Sequence, residues 1–257
     1  MNCPRCNANV AFSKKRCDNC GQDLKNYRRV VGLSNIYYNK GLSQAKVRDL
    51  SGAISSLKLS LQFNKLNTNA RNLLGLVYLE EGEIVSALSE WVISKHYQSE
   101  NNDAEDYIKM IQSNPNKLET YNQTIRKYNS ALNSAKHGDE DMAIIQLKKV
   151  VNLNPKFIRA HQLLALLYMM TGKKDNRVKA LKLLRNISQI DVTNTTTLRY
   201  MKELSDVHIR GESPKVQPKV VKKEPERRTL PQVDPDAYKT ITPYKEERPS
   251  IMPFINI

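Results

Sequence analysis

Four cysteines carry the plainest chemistry in this chain. They stand as Cys3-Pro4-Arg5-Cys6 and Cys17-Asp18-Asn19-Cys20-Gly21, two CxxC pairs separated by ten residues. A two-residue gap lets both sulfurs of a knuckle point at one ion while the amides of the turn approach them. Two knuckles supply four thiolates to a closed tetrahedral site, the ligand set of structural zinc. With no open coordination position, such an ion cannot activate water. The segment is too short to bury a useful core, so the ion must supply its folding energy, on the order of 10–16 kcal/mol in small peptides. A redox motif would place one CxxC at a helix start, whereas here two stand in register. A disulfide scaffold would spread cysteines through the fold, yet none occurs after Cys20 in 257 residues. The clustering points to a metal in a reducing cytoplasm.

The cysteine segment resembles the short bacterial zinc ribbons that read Cys-Pro-x-Cys-Gly … Cys-x-x-Cys-Gly-x-x-Leu. The match runs through Cys3, Pro4, Cys6, Cys17, Cys20, Gly21 and Leu24, and departs at Asn7, where the family has Gly. Asn tolerates positive φ better than other non-glycine residues, so the turn is expected to survive.

The rest of the chain must be read for the elements around this head. From residue 29 the texture changes to long, glycine-poor, apolar-periodic stretches with a recurring 34-residue unit. The copies fall at 34–67, 68–101, 124–157 and 158–194, the last with about three inserted residues at 174–177. Small residues (Gly41, Gly75, Ala131, Ala165) recur where a first helix is crossed by the second, with Ala53, Ala87, Ala143 and Ala180 opposite them. Leu57, Trp91, Leu147 and Leu184 are expected to fill the layer between pairs, each contributing roughly 1.5–3 kcal/mol on burial. An extra amphipathic helix is expected over 103–112 and a capping helix over 195–206.

This pattern resembles the tetratricopeptide repeat. The resemblance implies a mainly α protein: a zinc ribbon over 1–28, a tetratricopeptide-like α-solenoid over 29–206, and a disordered tail over 207–257. It further implies a groove lined by first helices, which places Tyr38, Asn39, Asn72, Tyr128, Asn129, Arg159, Gln162 and Met169 as partner-binding candidates. Tyr, Asn, Met and a few cations suit an extended peptide or a helix of another protein. Family members that grip a C-terminal carboxylate do so through an Asn one turn further along. Leu42, Leu76, Leu132 and Leu166 hold that place here, so that clamp is not expected.

Catalytic signatures are missing. The chain contains no GxxxxGK[ST], GxSxG, HExxH or GxGxxG, and His96, His137, His161 and His208 are scattered without an i, i+4 pair. The expectation is a non-enzymatic protein–protein scaffold or adaptor. The alternative is nucleic-acid binding through Arg5, Lys14, Lys15, Arg16 and Lys25 of the ribbon, since the net charge is +15. That charge is spread along the chain and selects no partner class by itself. Pro and mixed charges from about residue 206 predict disorder. The apolar end, Ile251-Met252-Pro253-Phe254-Ile255-Asn256-Ile257, follows Lys245 and Arg248. It suggests a cytoplasmic protein held at the inner face of a membrane by a segment beyond Ile257.

Overall fold

The computed structural model describes the backbone of residues 1–210 and the side chains of residues 1–206. The described residues form a small knuckled head and ten helices. The head holds only isolated antiparallel bridges, Asn2 to Asn9 and Arg16 to Asp23. Eight of the helices make four hairpins: α1 (Lys25–Lys46) with α2 (Leu50–Phe63), α3 (Thr68–Glu80) with α4 (Ile84–Tyr97), α6 (Pro115–Lys136) with α7 (Glu140–Leu153), and α8 (Ile158–Met170) with α9 (Lys174–Ser188). The single helices α5 (Ala104–Gln112) and α10 (Thr195–Arg210) cover the ends of the first and second hairpin pairs. No described helix is long and apolar enough to cross a membrane.

The hairpins close because each first helix offers a small residue to a bulky one. A Cβ on Gly75 would lie 2.2 Å from the Trp91 ring, and one on Gly41 would lie 2.7 Å from Leu57. Ala53, Ala87, Ala143 and Ala180 are fully buried, as are Leu57, Trp91, Leu147 and Leu184. Trp91 also donates its ring N–H to the Asn72 carbonyl at 3.1 Å. The inter-helix turns are made by backbone in the left-handed region, at Gly82, Gly138 and Gly172. The corresponding place in the first hairpin is taken by Arg48, with φ of 59°.

Both helices that open a pair are long. α1 and α6 have 22 residues each, against 13 for α3 and for α8. α1 grows directly out of the head. Leu24 is fully buried there, and the Arg28 N–H bonds its carbonyl at 2.8 Å, so the helix runs through residue 28 without a linker. α6 starts at Pro115, with Asn114 accepting the Lys117 N–H. Its first half lays Leu118, Tyr121 and Ile125 on the core of the first pair, while Tyr128 and Ala131 belong to that of the second. The insertion near 174 lengthens the start of α9. α10 continues to Arg210, past the boundary expected at 206, and the rest of the expected tail, 211–257, lies outside the described residues.

The second pair of hairpins does not simply extend the stack. It lies edge-on against the first pair, with the turns inside the early hairpins meeting the links between the late helices. At one end the Val192 N–H bonds the Arg48 carbonyl, and Asp191, which is 1% exposed, accepts the N–H groups of Leu50 and Ser51. At the other end the Ile158 N–H bonds the Glu81 carbonyl and Asn154 donates to the Gly82 carbonyl.

Candidate metal centre and partner-binding face

The two cysteine knuckles are near copies of one another. In each, the first cysteine's N–H bonds a carbonyl five residues on (Cys3 to Ala8, Cys17 to Gln22) and its carbonyl accepts an N–H four residues on (from Asn7 and Gly21). The residue after each second cysteine takes positive φ, 57° at Asn7 and 69° at Gly21. Val10 and Leu24 close the small core beneath. The Arg28 guanidinium stands over the Phe12 ring, 5.4 Å from its centroid.

The four sulfurs lie within 4.8 Å of one another, with Cys3 to Cys20 and Cys6 to Cys17 at 3.6 Å, and no disulfide joins them. A tetrahedron with sulfurs about 2.3 Å from its centre has edges of about 3.8 Å, so the cage fits one thiolate-bound ion. Electrostatics point the same way. The Ala8 N–H, acting against burial, holds the Cys6 thiol down to about 6. Against the Gln22 N–H, burial and the three neighbouring sulfurs push Cys20 up to about 12. Four thiolates repel one another, and a shared cation removes the conflict.

The partner-face candidates divide. Tyr38 is 2% exposed and belongs to the first core. Asn72 is 5% exposed and donates to Asn102 at 2.8 Å. Asn39 and Asn129 are exposed. Tyr128 is half-buried with its ring centroid 4.7 Å from that of Phe157, and burial pushes its hydroxyl pKa up. Met169 is half-buried at the edge of the second core. Arg159 pairs with Glu83 at 3.0 Å, and Gln162 donates to Asn194 and Thr197 at 2.7 and 2.9 Å. Tyr128, Asn129, Arg159, Gln162 and Met169 therefore lie on α6 and α8 of the second pair, whereas Tyr38 and Asn72 are absorbed by the first.

Among the described histidines none forms a catalytic pair. His96 is exposed beside Tyr97, and His137 ends α6 against the Asn133 carbonyl. His161 is buried, which lowers its pKa, with its ring against the Phe157 carbonyl.

The seam residues Arg48, Glu80, Glu81, Asp191 and Lys156 are absent from the sequence-based candidates. One signal was legible: Arg48 fills the turn position that is glycine in the other three copies.

No family model matches the chain, and no curated protein matches it. Solved structures similar to it include the TPR domain of P58(IPK), at 16% identity and a TM-score of 0.32, covering 72% of this chain and 58% of that one. They also include YrrB, described as a TPR protein with an unusual peptide-binding site, at 19% identity, TM-score 0.29, and 69% and 96% coverage. MamA is similar at 21% identity, TM-score 0.27, and 72% and 98% coverage. The chain thus spans 58% of the P58(IPK) domain and nearly all of the other two. On its own geometry it is a mainly α protein built from four tetratricopeptide-like hairpins, with four cysteines gathered at its N-terminus as in a zinc ribbon.

Proposed function

We propose that the chain is a non-enzymatic interaction scaffold that binds a protein or peptide partner on the α6–α8 face of its second repeat pair. The observation carrying this reading is the stack of hairpins with Asn129 exposed and Tyr128 and Met169 only partly covered on successive first helices. An amphipathic face of this kind suits a helix or an extended segment. Crosslinked pull-down from native cells, comparing wild type with a Tyr128→Ala, Met169→Ala double variant, tests it. Loss of specific partners is expected, and equal recovery by both forms overturns the reading.

The metal we assign to Cys3, Cys6, Cys17 and Cys20 is zinc. Four thiolates in a closed cage favour it over the oxygen-seeking cations. Its role is to fold the head and fix the start of α1. Elemental analysis is expected to give one zinc per chain, lost when Cys17 is replaced by Ser. A thiolate cage of this kind belongs in a reducing compartment, which supports a cytoplasmic location.

A further inference from the structure

The contact between the two repeat pairs has the character of a latch. Two cations of the second pair reach across it to two largely buried carboxylates, Lys156 to Glu80 at 2.9 Å and Arg159 to Glu83 at 3.0 Å, and Arg48 of the first pair shares Glu80 at 3.0 Å. The cations are themselves well exposed, so water and salt compete for them. Apolar packing at this contact comes from Ile190 and the first half of α6, and it leaves a gap. A cavity of about 290 Å³ lies between the pairs, lined by Leu79, Ile84, Met110, Ile111, Tyr121 and Leu153 among others. Interfaces that are polar and loosely packed are those that reopen.

Arg48 sits at the centre of this contact in an uncommon conformation. Its φ of 59° is one that the other three hairpins leave to glycine. What the arginine gains is visible. Its Nε donates to the Gln189 and Ile190 carbonyls at 2.9 and 3.2 Å, its Nη2 meets Glu80, and its own carbonyl accepts the Val192 N–H. A side chain held in the left-handed region persists only where its surroundings compensate it. Here its side-chain partners are Glu80 and the α9–α10 link of the second pair, while its N–H bonds the Ala45 carbonyl of its own hairpin.

We infer that the two repeat pairs form a clamp that closes and reopens at this seam, with α6 as its spine and Arg48 as the latch. Opening frees Arg159 from Glu83 for a partner; that consequence rests on the scaffold reading, whereas the opening itself does not. The seam also responds to pH through Glu81, which lies between the pairs and has no side-chain partner among the described residues. Burial first, then Asp191 on the α9–α10 link and Glu83 on its own turn, push its carboxyl up to about 7, against Arg159 on α8 and Lys58 on α2. Closure takes up this proton, so it weakens as pH rises from the ordinary carboxylate range to about 7.

Amide hydrogen exchange on the metal-loaded chain tests the latch. The reporters are the seam amides of Ile158 and Val192, with interior amides of α3 and α8 as reference. After correction for intrinsic rates, the seam amides are expected to exchange about tenfold or more faster than the reference, and faster still in high salt. Arg48→Gly relieves the backbone and removes the latch, so it should speed the seam amides further while leaving the reference amides as slow as before, or slower. A turn residue with no latch role would slow or leave unchanged both sets. Glu81→Gln is expected to slow the seam amides at pH 8 and to flatten their dependence on pH. Seam and reference amides exchanging together in all three proteins would overturn the proposal, whatever the outcome of the pull-down.

Discussion

At the scale of single residues, the hairpins depend on absent atoms as much as on present ones. Gly75 leaves room for the Trp91 ring, and a methyl group there would stand 2.2 Å from the indole nitrogen. Gly75→Ala is therefore expected to cost about 1–3 kcal/mol, read by chemical denaturation, because a fully buried indole has nowhere to retreat. The turn glycines separate two effects. Gly82 and Gly138 both hold positive φ, but only Gly82 has another element against it, with Phe157 Cα 2.7 Å from where a Cβ would be. Gly138→Ala should carry the conformational cost alone, about 1 kcal/mol. Gly82→Ala should cost more and should also loosen the Asn154 and Ile158 contacts. Equal losses in the two variants would mean that the Phe157 backbone moves aside without consequence.

At the scale of elements, the head and the first repeat are one mechanical unit. Leu24 belongs to the cysteine core and also accepts the N–H of Arg28 in the first turn of α1. Leu24 gives the helix no side-chain cap, and Asp23 of the head accepts the Lys25 N–H at 2.8 Å instead, so the head provides its beginning. Removing the metal with a strong chelator is expected to unfold the head and fray the first two turns of α1, through about Val31. α2 through α10 should stay folded. NMR amide spectra would separate these outcomes, and a head that keeps its dispersed signals without metal would contradict the assigned folding role. The elongation of α6 has a parallel effect, since one continuous helix anchors both cores.

At the scale of the whole molecule, each pair is held by its own apolar core, while the turns and links of the two pairs meet through polar contacts beside α6. The acid–base behaviour of the seam should then appear in global stability. Glu81 keeps its proton up to about 7 in the folded chain, while the unfolded chain releases it in the ordinary carboxylate range. Between those values the folded state holds more protons, so stability from this group falls as pH rises and is lowest above 7. Glu81→Gln is expected to be more stable than wild type at pH 8, by roughly 1–3 kcal/mol, with the difference vanishing toward pH 4. Thermal or denaturant midpoints across pH check this. A constant difference at all pH values would assign the effect to packing.

The cysteine cage, the hairpin periodicity and the burial of Ala87 and Trp91 were legible in the sequence, because each depends on residues at fixed local spacing, whereas the close approach of Trp91 to Gly75 within one hairpin was not. A 34-residue period sets which side chains a neighbouring helix meets, and a CxxC turn brings two sulfurs together whatever surrounds it. Tyr38 and Asn72 show where that reading ends. In the repeat frame they occupy the same place as Tyr128 and Gln162, but the first pair draws them into its interior. The edge-on closure was invisible for a related reason. It joins Arg48 to 189–192 and Glu81 to Ile158, residues far apart in the chain whose pairing depends on where α5 and the long α6 turn the second pair. Local pattern determined the cage and the hairpins; only the tertiary structure decided which of their faces meet, because that choice rests on polar contacts with no sequence period.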